Sequence, residues 1–507
     1  MTMKRYVVGI DIGTTAVKLL VLDGDHRIVH EAAREHALFT ERPGWSEEDA
    51  DTWWDNACWL TRRMMEQLQA RADGPFEIAC VGVSGMVPAI VLVGADDRPL
   101  RRAIQQNDAR CTEQIDRVKG QLDQDLLFAQ TGGFTNQQHI LPRLLWVRDW
   151  EPDVFARVEH VCGSYDWIVH RLTGRWSLEV NWAAESGMFD IRGRAWIEEQ
   201  FRRFDLPLRW FPPVRESLDI VGAVTPLAAQ RTGLPEGAPV IAGSADHVAS
   251  ALAAGVIDEG DVLIKFGGAG DILFCTDSLK TDERLFFDYH NIAGKYLLNG
   301  CMASSGSLVQ WFVREFVAQD PPGDIFARLD DGASKIGPGS GGLVVLPYLL
   351  GEKTPLFDPD ARGVFFGLAL HHTQAHVFRA ILESVIYGFR HHLDVLAAGG
   401  HHPKRIFATN GGAKSRLWLQ IAADILGLPL ISYRAHPGSS LGVAFLAGKA
   451  AGLYTDWSEV RECIPDARTH QPDAAAHAVY DVTYGVYRRL YTALRDEFKI
   501  MATTFSR

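Results

Sequence analysis

The segment "GIDIGTT" places a carboxylate inside an apolar run, next to a tight turn. Asp11 stands between two isoleucines, and Thr14, Thr15 and Lys18 follow it. A Gly-Thr-Thr turn offers backbone N–H groups and hydroxyls to a phosphate, and Lys18 adds a positive charge. An aspartate beside such a turn suits hydrated Mg²⁺, which prefers oxygen ligands. The segment indicates a phosphate and magnesium site, and a plain hairpin whose Gly and Thr serve only the turn explains it equally well.

A second carboxylate lies in "IAGSADHVASAL", after an apolar strand and a Gly-Ser-Ala turn. Asp246 precedes a predicted helix, and Asp often caps the N-terminus of a helix. The functional alternative is a general base, which accepts a proton from a substrate hydroxyl while that oxygen attacks a phosphorus atom. The segment by itself leaves both interpretations open.

Two short glycine-rich turns follow predicted strands, "FGGAG" at 266–270 and "TNGGAKS" at 409–415. Glycine lets a backbone approach a nucleotide closely, although most such turns are only turns. A Walker A loop is absent from the sequence, because the Gly-Lys pairs at 294–295 and 448–449 lack a following Ser or Thr. Neither turn has the third glycine of a dinucleotide-binding fingerprint.

Histidines and tryptophans are interpreted as structural. "HEAAREH" at 30–36 does not have the H-E-x-x-H spacing of a zinc site. The histidine pairs at 371–372, 391–392 and 401–402 are predicted to be solvated helix ends. Trp53, Trp54 and Trp182 are predicted to pack in the core or at a domain interface rather than to stack on a sugar.

The elements that must position these residues alternate between strands and helices. The first segment reads as strands at 6–11 and 16–22, a turn at 23–25, a third strand, a helix that opens at 46–49, and a strand at 78–83. A similar strand, small-residue turn and strand recur from Asp261. A further strand lies in "GLVVLPYLL" and a long helix spans about 373–396. The pattern predicts α/β layers in a duplicated fold, joined near residues 240–260.

Length and composition predict a two-domain globular protein. The 507 residues exceed one ordinary core, and a net charge of −12 opposes a large nucleic-acid or anionic-membrane surface. Seven scattered cysteines without a Cys-x-x-Cys pair suggest neither disulfides nor a cysteine zinc site. The sequence shows no signal-peptide pattern and no run of about 18 apolar residues. We expect a cytoplasmic protein without nucleic-acid or membrane partners, and a homodimer is one assembly considered.

The order of five segments resembles the FGGY family of carbohydrate kinases, in the actin-like ATPase superfamily, with a xylulokinase-like member as the nearest pattern. The segments are "GIDIGTT", "GSADHVASAL", "GLVVLPYLLGEKTPLFDPDARGVFFGL", "NGGAKSRLWLQIAADILGLPL" and "GSSLGVAFLA". The resemblance covers about residues 5–490. It implies two ribonuclease-H-like α/β domains around a deep cleft, with residues 1–245 binding mainly the sugar and residues 246–507 binding mainly ATP.

The resemblance also implies roles for individual residues. Asp11 matches a Mg²⁺-associated aspartate, Asp246 matches the catalytic base, and His247 stands where relatives often carry a substrate-touching Asn or Gln. The positions that match contacts to ATP are Thr14, Thr15, Lys18, Gly267, Gly268, Gly306, Gln310, Gly411, Gly412 and Arg416. Many relatives have Gly-Thr at 267–268, so backbone N–H groups must do more here, and Arg416 is not the usual side chain.

The predicted sugar-binding loops depart from the best-known relatives. Xylulokinases have roughly Ser-Gly-Gln-Met-His-Gly where this chain has "SGMVPA", so Met86, Val87 and Pro88 form an apolar substrate loop. Only backbone groups can form hydrogen bonds at Val87 and Pro88, so fewer hydroxyls are recognised there. The second loop, "QQNDAR", retains the Asn-Asp-x-Arg pattern of xylulokinases.

Further substrate candidates come from that second loop and from "TNQQH". Asn107, Asp108 and Arg110 either contact the sugar or hold their loop, and Gln138 lies where a relative uses a tyrosine near the sugar. The expected activity is ATP-dependent phosphorylation of a ketopentose, with D-xylulose first. Ribulose, a tetritol, another polyol or an autoinducer-2 precursor remain alternatives.

Two rival classes share some of these motifs. A sugar-independent actin-like ATPase would couple hydrolysis to a partner domain, and the roughly 60 residues after 447 are too few and too structured for one. A sensor that binds sugar without turnover would not need Asp11, Thr14, Thr15 and Asp246 together. The sequence therefore favours a kinase.

Overall fold

The computed structural model describes residues 3–71, 74–317, 324–464 and 466–505. Its strands, β1 to β24 in chain order, are Lys4–Ile12, Ala16–Asp23, Ile28–Glu35, Glu47–Glu48, Phe76–Gly85, Val91–Val93, Ala103–Ile104, His160–Cys162, Leu178–Glu179, Phe189–Asp190, Ala195–Trp196, Val214–Arg215, Ile220–Ala223, Pro239–Ile241, Ser244–Ala245, Asp261–Phe266, Gly270–Thr276, Phe286–Tyr289, Tyr296–Met302, Val344–Leu346, Val364–Phe366, Arg405–Thr409, Leu430–Tyr433 and Ala467–His470.

The α-helices, α1 to α16, are Ala50–Arg71, Thr112–Gln121, Gln124–Thr131, Ile140–Trp150, Pro152–Phe155, Ser164–Thr173, Val180–Glu185, Glu198–Arg203, Pro226–Thr232, Asp246–Ala253, Gly306–Phe316, Ile325–Ser334, Gln374–Ala398, Arg416–Leu426, Ser439–Ala450 and Ala474–Phe505. Short 3₁₀ helices are Leu208–Trp210, Ser340–Gly342, Gly411–Lys414 and Trp457–Cys463. No helix in the described ranges has the length and apolar character needed to cross a membrane.

The chain divides into two compact units. Unit 1 is Met1–Ile257 with the returning segments Phe287–Tyr296 and Pro437–Cys463, and unit 2 is Asp258–Phe286, Leu297–His436 and Ile464–Arg507. The predicted functional division at residue 246 therefore differs from the compact units, and the assignment of sugar to one part and ATP to the other stays a prediction.

Unit 1 is built on a seven-stranded sheet with the order β13-β14-β5-β1-β2-β3, in which β15 also pairs with β5. β1 runs antiparallel to β2 and parallel to β5. The predicted three antiparallel strands, helix and further strand are all present. One detail differs, because Glu47–Glu48 pairs with β7 as a short strand and the helix begins only at Ala50.

Glycines let helix α15 lie directly on the sheet of unit 1. A Cβ atom on Gly9 of β1 would stand 2.1 Å from the carbonyl oxygen of Ser440, and one on Gly82 of β5 would stand 2.6 Å from that of Val443. On the helix itself, a Cβ atom on Gly442 would come within 1.9 Å of the carbonyl oxygen of Ala249 in α10. Backbone therefore meets backbone at these positions, and only glycine fits.

Unit 2 is built around strands in the order β19-β17-β16-β22-β23-β24 of a second, seven-stranded sheet. The β16–β17 hairpin is antiparallel and β16 runs parallel to β22, which repeats the arrangement of β1, β2 and β5. The predicted second strand-turn-strand figure is therefore present.

The histidine prediction is wrong for the pair at 391–392 and for His401, whereas His402 is exposed. His391 and His392 lie inside α13 with 8% and 0% of their surface exposed, and His401 is also buried. Burial lowers the pKa of His391 to about 3 and that of His392 to about 4. These rings are neutral parts of the packing, as are the buried Trp53, Trp54 and Trp182, which the sequence placed correctly.

Candidate active site

Four strand ends bring the predicted catalytic residues of unit 1 together. In the sheet register Asp11 on β1 stands opposite Lys18 on β2 and opposite Ser84 on β5, and Ser84 stands opposite Ser244 on β15. Asp246 follows two residues after Ser244, at the start of α10. β5 runs parallel to both β1 and β15, so the group lies at the carboxyl edge of these strands, where open α/β sheets bind ligands.

Asp11 is a buried carboxylate with few neutralising partners. Only 3% of its surface is exposed, and its Oδ1 accepts a hydrogen bond of 3.0 Å from the hydroxyl of Ser84. Burial and then the negative charge of Asp246 raise the pKa of Asp11 to about 6, against the opposing effects of Lys18 and the hydroxyls of Ser439 and Ser84. A buried carboxylate that a second negative charge repels is a group suited to hold a divalent cation.

The turn after Asp11 leaves polar groups exposed. The N–H of Gly13 donates to the carbonyl of Ala16 at 3.1 Å, which closes the hairpin. Thr14, Thr15 and Lys18 are exposed to solvent. The hydroxyls and the ammonium group are thus accessible to an anion, as the phosphate interpretation requires.

Asp246 does not cap its helix. Ala245 occupies the N-cap position of α10, and no side chain there bonds to the first turn. The N-cap interpretation of Asp246 is therefore wrong. The side chain is about one third exposed, so the carboxylate is open to a substrate hydroxyl.

His247 lies among three carboxylates. Its Nδ1 is 3.5 Å from Oδ1 of Asp246, and its Nε2 is 3.0 Å from Oδ2 of Asp288 and 3.8 Å from Oε1 of Glu185. Burial would lower the pKa of His247, but Asp288, Asp246 and Glu185 outweigh it and raise the pKa well above the usual value. The positively charged imidazolium therefore lies next to the carboxylate of Asp246 and can hold that side chain in place.

Sequence reasoning missed Glu185 and Asp288. Burial, with the charge of Asp288 next, raises the pKa of Glu185 well above its usual range. Ligand atoms of Glu185, His247 and Asp288 lie within 4.8 Å of one another, a spacing that also suits a metal ion. A metal ion bound there would have to displace the proton that the three carboxylates favour on His247, because metal binding needs the neutral imidazole.

The first predicted sugar loop is held tightly. Met86, Val87 and Pro88 are all buried, with Met86 and Val87 exposing 1% and 2% of their surface. The N–H of Met86 donates to the carbonyl of Ile12 at 3.1 Å, and the Met86 carbonyl accepts from the hydroxyl of Ser164 at 2.9 Å. These bonds fix the loop beside the end of β1.

In the second loop the two predicted residues differ in their surroundings. Asn107 is exposed, whereas Asp108 is fully buried. Asp108 accepts two side-chain bonds of 2.8 and 2.7 Å from Arg110 and one of 2.6 Å from the N–H of Ser46. These bonds favour a loop-holding role for Asp108 and leave Asn107 as the accessible candidate. Gln138, in the third loop, is half-buried.

The predicted nucleotide residues of unit 2 gather at the edge where β16 and β22 end. The carbonyl of Gly267 accepts from the N–H of Gly306 at 2.8 Å, which joins the hairpin turn to the start of α11. The Gly268 carbonyl accepts from the N–H of Ser305 at 2.8 Å. Gln310 is exposed on the same helix. The hairpin turn and α11 thus form one connected surface.

The second glycine-rich turn lies next to the first. Lys265 and Thr409 are register partners, so the turns after β16 and β22 follow side by side. Gly411 and Gly412 form a 3₁₀ turn, and Arg416 is exposed at the start of α14. A Cβ atom on Gly412 would lie 2.6 Å from the ring of Trp418, so this turn needs glycine.

Family models, curated relatives and solved structures all match this chain to carbohydrate kinases. Two family models match the chain, the N-terminal domain of the FGGY family of carbohydrate kinases over residues 6–253 and the C-terminal domain over residues 275–451. A xylulose kinase of Escherichia coli is 30% identical, covering 96% of this chain and 99% of the relative. A gluconokinase of Bacillus subtilis is 25% identical, covering 99% and 98%. The crystal structure of a xylulose kinase from Rhodospirillum rubrum is 40% identical, with a TM-score of 0.92 and coverage of 98% and 100%.

Proposed function

Because the chain belongs to the FGGY family of carbohydrate kinases and is thus a sugar phosphotransferase, we propose that its acceptor is a ketopentose, D-xylulose first. The observation that carries this choice is the full-length similarity to xylulose kinases at 30% and 40% identity. We further propose that residues 1–245 bind mainly the sugar, that residues 246–507 bind mainly ATP, and that the enzyme acts in the cytoplasm.

Asp246 is the proposed general base. Phosphoryl transfer needs an acceptor oxygen in line with the γ-phosphorus and a group that takes the hydroxyl proton. Asp246 is accessible, does not occupy the N-cap position of its helix and lies beside His247, which can orient it. A base in this position contributes about 10²- to 10⁴-fold to the rate.

Mg²⁺ is the proposed metal, with Asp11 as the residue that holds it through water. The buried carboxylate and its repulsion by Asp246 fit a divalent cation, as described above. Bound Mg²⁺ would supply neutralisation of phosphate charge. Thr14, Thr15 and Lys18 would orient the phosphates, and Gly267, Gly268, Gly411 and Gly412 would let the nucleotide approach the backbone of unit 2.

The apolar loop at Val87 and Pro88 is the main argument for testing other sugars. The gluconokinase relative acts on a sugar acid by its name, so an acidic acceptor belongs in the same test. Ribulose, tetritols, other polyols and an autoinducer-2 precursor also belong there.

An ADP-release assay with a panel of these sugars, with mass spectrometry of the product, tests the proposal. We expect D-xylulose to give the highest kcat/KM and its product to gain one phosphoryl group. Asp246→Asn should retain ATP binding and lose about 10²- to 10⁴-fold in kcat. A higher kcat/KM with gluconate than with D-xylulose would replace the proposed acceptor. ATP hydrolysis at the same rate with and without each sugar would favour an ATPase. A near-normal kcat in Asp246→Asn would contradict Asp246 as the general base.

A further inference from the structure

A buried arginine joins the three loops that the sequence assigns to the sugar. Arg143, on α4, is 0% exposed. Its Nη1 donates to the carbonyl of Pro88 at 2.6 Å, and its Nη2 donates to the carbonyls of Gln138 at 2.8 Å and Gln106 at 3.3 Å. Its Nε donates to the carbonyl of Gln137 at 3.0 Å. One side chain thus contacts all three loops.

These contacts fall at the predicted substrate positions. Pro88 belongs to the apolar loop, Gln106 precedes the exposed Asn107, and Gln138 is itself a candidate contact. The loops come from distant parts of the chain, at 86–88, 106–107 and 137–138. Arg143 bonds to all three at once and can therefore fix their spacing.

Burying a charged side chain at this position costs free energy unless its hydrogen bonds compensate for the lost hydration. All four hydrogen bonds that the described part of the chain gives this guanidinium end on backbone carbonyls, and burial lowers the pKa of Arg143 to about 10, so it stays charged at neutral pH. A buried charge is expensive without such bonds, and an apolar side chain would fill the space more cheaply. The planar fork of donors, which lysine lacks, fits several carbonyls in fixed directions.

We infer that Arg143 is a positioning residue that sets the affinity and selectivity of the sugar site by fixing the three loops relative to one another. It does not touch the reacting atoms. Its effect reaches the sugar through the backbone at Pro88, at Gln106 beside Asn107, and at Gln138. The inference rests on the proposed function, since it assumes that these loops bind the acceptor.

The test compares Arg143→Lys and Arg143→Met with wild type in the phosphorylation assay. We expect KM for the sugar to rise about 10- to 100-fold in Arg143→Met, because small displacements of positioning groups have effects of this size. KM for the sugar in Arg143→Lys should lie between the values of wild type and Arg143→Met, since the single nitrogen of lysine cannot bond to all three loops. KM for ATP should change less than about twofold, and the differences in kcat/KM among the sugars should become smaller.

Arg379 provides the matched control. It is also a buried arginine, but it bonds to Glu383 and Tyr480 in unit 2 and to no sugar loop. Arg379→Lys and Arg379→Met should lower the melting temperature without changing KM for the sugar. As a second measurement, millimolar guanidinium should restore sugar affinity to Arg143→Ala and leave the sugar KM of Arg379→Ala unchanged.

The inference is overturned if Arg143→Lys keeps the wild-type sugar KM and sugar ranking, or if the Arg379 variants raise the sugar KM equally. If Arg143→Met does not fold, Arg143→Lys decides by the same criterion. Failure of wild type to phosphorylate any sugar would instead overturn the proposed function.

Discussion

At the residue scale the two aspartates of unit 1 act on each other. Asp11 is buried and Asp246 is accessible, and the negative charge of Asp246 helps to keep the pKa of Asp11 raised. A group with this environment prefers a proton or a cation, and near neutral pH protons are scarce. The proposed magnesium would therefore relieve a cost that the folded chain carries by itself.

This cost can be measured through pH. The folded pKa of Asp11 is about 6, whereas an unfolded aspartate has about 4. The folded state therefore binds the proton more tightly, and this stabilisation is present at low pH and lost as pH rises through about 6. In EDTA we expect the free energy of unfolding of wild type, relative to Asp11→Asn, to fall by about 1 kcal/mol between pH 5 and 7.5. Chemical denaturation at both pH values measures it.

The control for this experiment is Asp25→Asn, at an exposed aspartate, which should show no such trend relative to wild type. Adding Mg²⁺ at pH 7.5 should stabilise wild type and leave Asp11→Asn unchanged. A flat difference between wild type and Asp11→Asn over this range would contradict the raised pKa. Equal stabilisation of both proteins by Mg²⁺ would contradict Asp11 as the residue that holds the metal.

Sequence predicted Asp11 and Asp246 as candidates because each interrupts an apolar pattern at a turn. It could not predict Glu185 and Asp288, which reach His247 from 62 and 41 residues away through the fold, since no spacing rule links them. Asp108 illustrates the opposite limit. Its motif was visible in the sequence, but only its bonds to Arg110 and Ser46 favour holding the loop over contacting the sugar.

At the element scale the contact of α15 with its neighbours is made by glycines. Residues 439–448 of this helix are all buried, as expected for a helix that is apolar on every side. In the sequence this segment, "GSSLGVAFLA", supported only the family resemblance, and its burial was not predicted. The surfaces it meets could not be predicted, because Gly9, Gly82 and Gly442 look like ordinary small residues until their neighbours are known.

We expect Gly442→Ala to lower the free energy of unfolding by about 1 to 3 kcal/mol or more, because its methyl group would overlap the backbone of α10. Urea denaturation followed by circular dichroism measures the change. Gly120→Ala is the matched control, at an exposed helical glycine with nothing within 4 Å of the added Cβ. It should be neutral or stabilise by up to about 1 kcal/mol. Equal stability of Gly442→Ala and wild type would show that α10 and α15 separate without cost.

At the scale of the whole molecule the compact units are not continuous in sequence. The duplicated strand-turn-strand figures predicted two halves, and both sheets are present. The boundary could not be predicted, because Pro437–Cys463 returns to unit 1 only through tertiary packing. Two residues of that segment bond to the rest of unit 1. Arg461 donates to the carbonyl of Gly255 at 3.2 and 2.9 Å, and Tyr454 donates to the carbonyl of Asp23 at 2.6 Å.

A fragment of residues 1–257 should therefore not fold alone. It lacks α15, so the sheet face at Gly9 and Gly82 would be open to water, and we expect no cooperative thermal transition. Joining residues 437–463 to the fragment through a flexible linker of about 20 residues should restore one. Circular dichroism melting and gel filtration measure both. A cooperative transition in residues 1–257 alone would show that the returning segment is dispensable.

The route of the chain also limits how this enzyme can be cut and recombined. The chain changes unit after Ile257, Phe286, Tyr296, His436 and Cys463. A chimaera that exchanges unit 1 with a relative must therefore replace three separate pieces of gene, and a single crossover leaves one unit made of mismatched parts. Recombination libraries built from single breakpoints should lose most of their folded members for this reason, whereas those that exchange all three pieces together should keep them.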